Sequence, residues 1–161
     1  MREQMKKIVL VTGNTKGGII QFLETLESVL SEIGFEITVV APAEIEEKLQ
    51  NKKNYIYYQT IIDGSGFTRK IDSFLSKQKT FGEITKKVNM LKPDLIWLID
   101  NPINTVRIGL KLVSTKIPIL LTLHDAGGNH PTNQTIYQKL RNRYTDYLSS
   151  KLECEVNHIL L

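Results

Sequence analysis

Residues 7–18 read KIVLVT followed by GNTKGG, an apolar run that stops in a loop containing three glycines. The residues that follow, IIQFLETLESVLSEI, have the three- and four-residue apolar spacing of an amphipathic helix, with Ile19, Phe22, Leu23, Leu26, Leu30 and Ile33 on one side. Glu24, Glu27, Ser31 and Glu32 are expected on the solvent side. Gly34 is expected to end the helix in a left-handed conformation, before a second apolar run, EITVVA. This order predicts a strand, a glycine turn, a helix and a second strand.

The glycine turn is predicted to present free backbone N–H groups at the start of this helix. A helix N-terminus carries roughly half a positive charge, which suits a phosphate or another anion. Gly17 and Gly18 either let such a ligand approach the backbone or only permit a tight turn and close helix packing. Asn14 and Lys16 belong to the same loop. Lys16 either neutralises a phosphate or stands in solvent.

Six apolar runs are predicted strands, and helical patterns separate most of them. The strands are expected at 7–12, 36–41, 55–58, 94–99, 117–123 and 155–161. One or two helices are expected over 68–91, one after the Asn101-Pro102 pair through Val113, and one after Asn133. Alternating strands and helices predict a single α/β domain over 1–161, a Rossmann-like doubly wound parallel sheet in the order 3-2-1-4-5-6 with helices on both faces.

Three polar loops are expected to meet in the crevice at the carboxyl ends of the first, fourth and fifth strands. They are Gly13–Gly18, Asp100–Asn104 and His124–Pro131. Asp100 is a candidate ligand contact, whereas helix capping accounts for Asn101.

His124 and Asp125 directly follow a buried strand. An imidazole and a carboxylate there either hydrogen-bond sugar hydroxyls or stabilise the loop itself. His130 adds a third polar group, but the spacing His124-Asp125-x4-His130 lacks the rigid geometry and further ligands of a metal site, so no metal is expected.

Composition is that of a globular protein with a local positive charge. The chain has 161 residues, 41% hydrophobic content, one cysteine and a formal net charge of +4. Its apolar runs are too short to span a bilayer and no secretory signal is visible, so a cytoplasmic location is expected. Residues 67–92 hold seven basic and two acidic side chains. This segment either adheres to anionic lipid at the inner face of the membrane or is a solvated helix face. It lacks the exposed stacking aromatics of a nucleic-acid site.

Taken together, these segments resemble the N-terminal domain of family-four retaining GT-B glycosyltransferases. The resemblance is carried by Gly17-Gly18-Ile19, GFEITVV (34–40), KPDLIW (92–97), PILLTLHD (118–125), His130-Pro131 and VNHILL (156–161). It covers nearly all of the chain except 43–91.

The resemblance implies an acceptor-binding domain of an enzyme that transfers a sugar from a nucleotide-sugar to a glycan or a lipid-linked acceptor, in cell-surface polysaccharide or glycoconjugate synthesis. By the same resemblance, Gly17 and Gly18 approach the donor diphosphate and His124 lies near the transferred sugar. His124 and Asp125 are the candidate catalytic residues. Catalysis would need no metal and no cofactor besides the nucleotide-sugar. The family's C-terminal, donor-binding domain is absent from this sequence, so the chain alone is expected to be inactive. Phe35 also replaces a histidine that is common in the family.

Two other functions remain open at this point. VTGNTKGGI is close to the TGxxxGxG pattern of NADP-dependent short-chain dehydrogenases, and Tyr147-x3-Lys151 has the spacing of their catalytic pair. Against this, Ile19-Ile20 departs from the glycine spacing, and no serine stands at the usual distance before Tyr147. The third possibility is a non-catalytic acceptor-binding subunit that needs a separate donor-binding partner.

Overall fold

A single parallel sheet of six strands organises the chain, in the predicted order β3-β2-β1-β4-β5-β6. The computed structural model describes residues 6–15, 17–49, 54–59, 67–100, 102–123 and 136–160. The strands are β1 (Lys7–Val11), β2 (Glu36–Pro42), β3 (Tyr55–Tyr58), β4 (Leu95–Leu98), β5 (Ile119–Thr122) and β6 (His158–Leu160). All five neighbouring pairs are parallel. The predicted fold class is therefore confirmed.

The described helices connect these strands as the apolar periodicity predicted. They are α1 (Gly17–Glu32), α2 (Phe67–Leu91), α3 (Ile103–Leu112) and α4 (Ile136–Glu155), with short 3-10 helices at Ala43–Lys48 and Val113–Thr115. The segment that was expected to hold one or two helices forms one continuous helix, α2.

The start of α3 differs from the prediction by one residue. Pro102 was expected at the first helical position, but it occupies the cap position with an extended ψ of 157°. Its carbonyl accepts the first helical hydrogen bond, from Val106 N at 3.1 Å. Because proline fixes only φ, a ψ in the extended range is open to it, and the helix begins one residue later. Asn101, the expected cap, lies outside the described residues.

Gly34 ends α1 as predicted, with a φ of +97°. Phe35 N donates to Leu30 O at 3.0 Å, and Gly34 N donates to Ser31 O at 3.1 Å. These two bonds form a Schellman motif, which satisfies carbonyls at the helix end and needs a residue that tolerates positive φ. The motif turns the chain directly into β2.

Two apolar layers enclose the sheet. On the front face, α1 and the first 3-10 helix pack on β1, β2 and β3, with Leu10, Leu23 and Ile45 fully buried. On the rear face, α2, α3 and α4 pack on the sheet and bury residues such as Phe81 and Ile108.

Glu27 of α1 contradicts the predicted solvent side of this helix. It is only 7% exposed and accepts a hydrogen bond from the Tyr55 hydroxyl at 2.7 Å. The reason is geometric, because Glu27 lies four residues after Leu23 and three before Leu30, on the face turned to the sheet. Burial raises the pKa of the Glu27 carboxyl, and the hydrogen bond from Tyr55 partly opposes this. At the end of the same helix Ile33, expected on the apolar side, is 66% exposed.

Replacing Glu27 by glutamine is expected to raise the free energy of unfolding at pH 7. Glutamine still accepts the hydrogen bond from Tyr55 but buries no charge. The folded-state pKa of Glu27 lies above its ordinary value of 4.5. The favourable contribution of Glu27 to the free energy of unfolding is therefore present below pH 4.5, and it is lost as the pH rises through the folded-state pKa. The advantage of E27Q should therefore shrink when urea unfolding is repeated near pH 4. Glu83→Gln, an exposed carboxylate on α2, is the control, and an advantage that grows at low pH would contradict this account.

Candidate functional site

The direction in which successive strands are added to the sheet reverses between β1 and β4. From β1 the chain moves outward to β2 and β3, and from β4 it moves the opposite way to β5 and β6. In open sheets of this kind, ligands bind at the carboxyl ends of the strands at such a switch point. Thr12 follows β1 and Asp100 lies two residues beyond β4, so both occupy this position.

Asp100 joins the loops that follow β1 and β4. It is 2% exposed, and its carboxylate accepts hydrogen bonds from Thr12 Oγ1 at 2.6 Å, Thr105 Oγ1 at 2.5 Å and Gly13 N at 3.3 Å. We call these four residues the Asp100 clamp. Burial raises the pKa of Asp100, and the hydrogen bonds from Thr105, Thr12 and the backbone act in the opposite direction. These donors stabilise the buried carboxylate and hold the two loops at a fixed distance.

Gly13 is required by close packing within the clamp. A Cβ atom at this position would lie 2.7 Å from Thr105 Oγ1 and 2.8 Å from Thr105 N. The second contact is to backbone at the start of α3, which cannot move independently of the helix. The loop after β1 therefore reaches the first turn of α3 only because residue 13 has no side chain.

Tyr58 adds the third strand to this arrangement. Its hydroxyl donates to Thr12 O at 2.8 Å, and the side chain is 3% exposed on the rear side of the sheet. Burial raises the pKa of Tyr58 well above its usual value, so the phenol stays a neutral donor. Asn14 N also donates to Thr12 Oγ1 at 3.1 Å, which continues the fixed path of the loop toward α1.

Gly18, in the first turn of α1, faces open space. Gly18 is exposed, and a Cβ atom there would meet nothing within 4 Å. Close packing of the described chain therefore does not explain this glycine. The first turn holds no acidic residue, and the Lys48 ammonium donates to Thr15 O at 3.1 Å. The positively charged N-terminal end of α1 and the Lys48 ammonium thus both adjoin the loop that follows β1.

The predicted site residues divide into two groups. Asn14 and Asp100 lie at the carboxyl ends of β1 and β4, and Gly17 and Gly18 form the first two residues of α1, which follows the loop after β1. The remaining ones lie outside the described residues, namely Lys16, Asn101, His124, Asp125 and His130. The prediction that His124 borders the same cavity as Gly18 therefore stays a prediction.

Sequence reasoning missed several members of this site. Thr12 carried a recognisable signal, since it is a polar residue directly after a buried strand. Thr105 was detectable only as a hydroxyl in the first turn of a helix. Tyr58 and Lys48 gave no local signal, because their contacts join residues 46 and 33 positions apart.

Two further sequence features are placed by the structure. On α2, Phe81, Ile84 and Val88 are buried against the sheet, whereas Lys79, Lys86 and Lys87 are exposed beside Met90, which is 81% exposed.

On α4, Tyr147 is 64% exposed and Lys151 is also exposed. The dehydrogenase alternative therefore gains no support from this pair.

Two other features are absent from the described residues. These residues contain no group of three or more histidine, cysteine, aspartate or glutamate residues that could hold a metal ion. None of the described helices is both long and apolar enough to cross a membrane.

Comparisons by sequence and by structure give different results. No protein-family profile and no curated protein matches the sequence. The fold is similar to that of MurG from Acinetobacter baumannii, with a TM-score of 0.65 and 16% identity over 96% of this chain and 40% of MurG. It is also similar to Staphylococcus aureus MnaA in complex with UDP, with a TM-score of 0.61 and 18% identity over 97% and 38% of the two chains.

A third similar structure is UDP-GlcNAc 2-epimerase from Neisseria meningitidis bound to UDP-GlcNAc, with a TM-score of 0.59 and 16% identity over 96% of this chain and 39% of the epimerase. At these identities the likeness shows the fold, a GT-B-like Rossmann domain. The chain spans about two fifths of the length of these proteins.

Gly13→Ala and Gly18→Ala are expected to have opposite effects on stability. The first inserts a methyl group against the backbone of α3 and should lower the free energy of unfolding by about 1–3 kcal/mol. The second places a methyl group in open space within a helix and should leave stability unchanged or raise it by up to about 1 kcal/mol. Urea unfolding of both variants measures the difference. Equal stabilities would show that the clamp is looser than described.

Proposed function

We propose that this chain is the acceptor-binding, N-terminal domain of a GT-B glycosyltransferase. The enzyme would transfer a sugar with retention of configuration, from a nucleotide-sugar to a glycan or a lipid-linked acceptor, in cell-surface polysaccharide or glycoconjugate synthesis. The observation that carries this proposal is the open position of Gly18 in the first turn of α1, in the connection that follows β1 at the switch point of a GT-B-like domain. A second, donor-binding domain or partner chain would hold the nucleotide-sugar.

The chemistry proposed for this site is electrostatic. When the two domains close, the N–H groups of Gly17 and Gly18 would approach the donor diphosphate, because no side chain keeps the phosphate oxygens away. Charge that develops on the leaving diphosphate would be stabilised by these N–H groups and by nearby cations, without a metal. Lys48 and Lys16 are the candidate cations, and Asn14 and Asn101 are candidate polar contacts. Asp100 would act through the position of the loop, since its carboxylate already accepts three hydrogen bonds.

The sugar itself is assigned to the loop after β5. His124 and Asp125 are proposed to hydrogen-bond the transferred sugar, and His130 to complete this side of the crevice. β5 lies beside β4, so this loop begins next to the loop that contains Asp100. The acceptor would enter from the same side, which leaves the opposite side for the donor domain.

The α1 site is tested with inorganic pyrophosphate on the isolated chain. NMR titration should shift the amide signals of Gly17, Gly18 and Ile19, with a dissociation constant no tighter than about 1 mM, which corresponds to roughly 4 kcal/mol. Gly18→Ala should weaken this binding while the fold stays intact, and Ser114→Ala, at an exposed position after α3, is the matched control. Shifts that spread over the surface, or equal binding by both variants, would contradict the proposed diphosphate contact.

Binding of UDP and of NADPH distinguishes the proposed glycosyltransferase domain from the dehydrogenase alternative. UDP should bind the isolated chain weakly, because the nucleoside is assigned to the other domain. Micromolar binding of UDP would contradict the domain assignment, and micromolar binding of NADPH would favour the dehydrogenase. Sugar transfer that appears only with a donor-binding domain supports the proposal. Acceptor binding without any transfer in that mixture would indicate a non-catalytic subunit.

Epimerisation of a nucleotide-sugar is a second candidate function. It is favoured by the likeness in fold to MnaA and to the N. meningitidis UDP-GlcNAc 2-epimerase. The two reactions differ in their need for an acceptor. Conversion of a nucleotide-sugar in the absence of any acceptor, in a mixture with the donor-binding domain, would favour epimerisation over transfer.

We further propose that the exposed face of α2 binds anionic lipid at the inner surface of the membrane, from the cytoplasm. The Lys86→Glu/Lys87→Glu variant is expected to bind vesicles that contain phosphatidylglycerol at least about 30-fold less tightly, given about 1 kcal/mol per basic residue. Co-sedimentation measures this. The matched control is Lys139→Glu/Lys151→Glu, which makes the same charge change at exposed positions of α4. Equal loss in both variants, or no loss in either, would remove the membrane proposal.

A further inference from the structure

Two exposed tyrosines lie next to each other on α4. Tyr144 is 45% exposed and Tyr147 is 64% exposed, which makes them the two most exposed aromatic side chains among the residues that the structure describes. Residues three positions apart in a helix are neighbours on its surface. Neither ring belongs to a described core cluster. Core packing therefore does not account for this pair.

Arg107 of α3 restrains one of the two rings. Its guanidinium carbon lies 5.8 Å from the centre of the Tyr144 ring, which is within the range of a cation–π contact. The contact limits the orientations of Tyr144 and places a positive charge beside the ring. Arg107 itself points away from the Asp100 clamp, because residues two positions apart, such as Thr105 and Arg107, lie on different sides of a helix.

The two helices that carry these side chains pack closely behind them. A Cβ atom at Gly109 of α3 would lie 3.1 Å from both methyl carbons of Leu152, a fully buried residue of α4. Helices approach this closely where one residue has no side chain. The distance between α3 and α4 is therefore set by packing, and the surface that Arg107 and the tyrosines form is rigid before any ligand arrives.

The surroundings of the tyrosines are positively charged. Further basic residues are placed one position before Tyr144, four positions after Tyr147, and one turn beyond Arg107 on α3. They are Arg143, Lys151 and Lys111, of which the first two are exposed. The acidic residue Asp146 lies two positions after Tyr144 and one before Tyr147, so it projects from another side of the helix.

This combination suits a ligand that has both sugar rings and acidic groups. The face of an aromatic ring carries partial negative charge, which attracts the C–H groups of a pyranose ring packed on it. Arginine and lysine bind carboxylates, phosphates and sulfates. Single-stranded nucleic acid offers similar groups, but it needs a positively charged groove that follows its backbone. The tyrosines here project from the exposed side of a helix instead.

We infer that Tyr144, Tyr147 and Arg107 form a secondary binding surface for an anionic glycan. Sugar rings pack on the tyrosines, and acidic groups of the glycan contact Arg107 and its basic neighbours. The surface lies on the rear side of the sheet, where α4 packs through Leu148 and Leu152, and not at the Asp100 clamp. The choice of a glycan rests on the proposed function, in which this surface holds a chain whose end is extended in the crevice.

The probe is a tetrasaccharide of galacturonic acid, and its methyl ester is the uncharged control on the same sugar backbone. NMR titration of the isolated chain with the acid is expected to shift the amide signals of residues 107–111 and 143–151, with a dissociation constant of about 1 mM. The ester should bind at least about 10-fold less tightly, because it keeps the sugar rings but offers no charge to the basic residues.

Two pairs of variants locate the effect on the rings. Tyr144→Ala/Tyr147→Ala should weaken binding of the acid at least about 10-fold, whereas Tyr144→Phe/Tyr147→Phe keeps both ring faces and should retain binding to within about threefold. Met90→Ala, at an exposed position of α2, is the control and should bind as the wild type does. Circular dichroism checks folding, and Tyr147→Ala alone, which removes only an exposed ring, is the milder variant.

Four results would overturn the inference. They are no shift with the acid, equal binding of the ester, wild-type affinity in the alanine variant, and tighter binding of a thymidine tetranucleotide, which would assign the surface to single-stranded nucleic acid. The outcome is distinguishable from that of the pyrophosphate titration, because the two report on different amides. Pyrophosphate shifts at Gly17 and Gly18 without a response to galacturonate would remove this inference alone, and the reverse result would remove only the diphosphate contact.

Discussion

The buried carboxylate of Asp100 is the interaction on which the arrangement of this domain depends. A carboxylate with 2% exposure is costly to bury unless donors surround it. Thr12 and Gly13 supply donors from the loop after β1, and Thr105 supplies one from the first turn of α3. The need to satisfy one charged group therefore ties the carboxyl ends of β1 and β4 to the first turn of α3.

The clamp has a consequence for the neighbouring helix. Asp100 and Tyr58 fix the path of residues 12–14, which precede the start of α1. Gly13 and Gly18 illustrate the two roles that glycine has in one loop. The first is enclosed by α3, and the second faces open space. Packing therefore explains the glycine at position 13 and does not explain the one at position 18.

Much of the fold was predictable because its signals are local. Apolar runs fixed the strands to within about two residues at most ends, and the glycine after α1 marked a helix end that the Schellman bonds confirm. The prediction that Glu27 lies on the solvent-exposed face of α1 was wrong. It rested on the charge of the side chain, whereas the position of Glu27 along the helix and its hydrogen bond with the distant Tyr55 place it on the buried face. Tyr58 and Lys48 reach the site through tertiary contacts that no local pattern encodes.

The same distinction applies to the candidate site. The meeting of the loops after β1 and β4 was predictable from the sequence, because parallel strands bring their following loops together. The role of Asp100 depends on the hydroxyl groups of Thr12 and Thr105, which lie 88 and 5 residues away in the sequence. It could therefore be recognised only from the structure.

The most direct test of this account is a double-mutant cycle between Asp100 and Thr105. Free energies of unfolding are measured in urea for Asp100→Asn, Thr105→Val and the double variant. If the buried carboxylate and the hydroxyl hold the loops together, each single change is destabilising, and the coupling between them is about 1–3 kcal/mol. Effects that add to within about 0.5 kcal/mol would contradict the account, because they would mean that the two groups contribute independently.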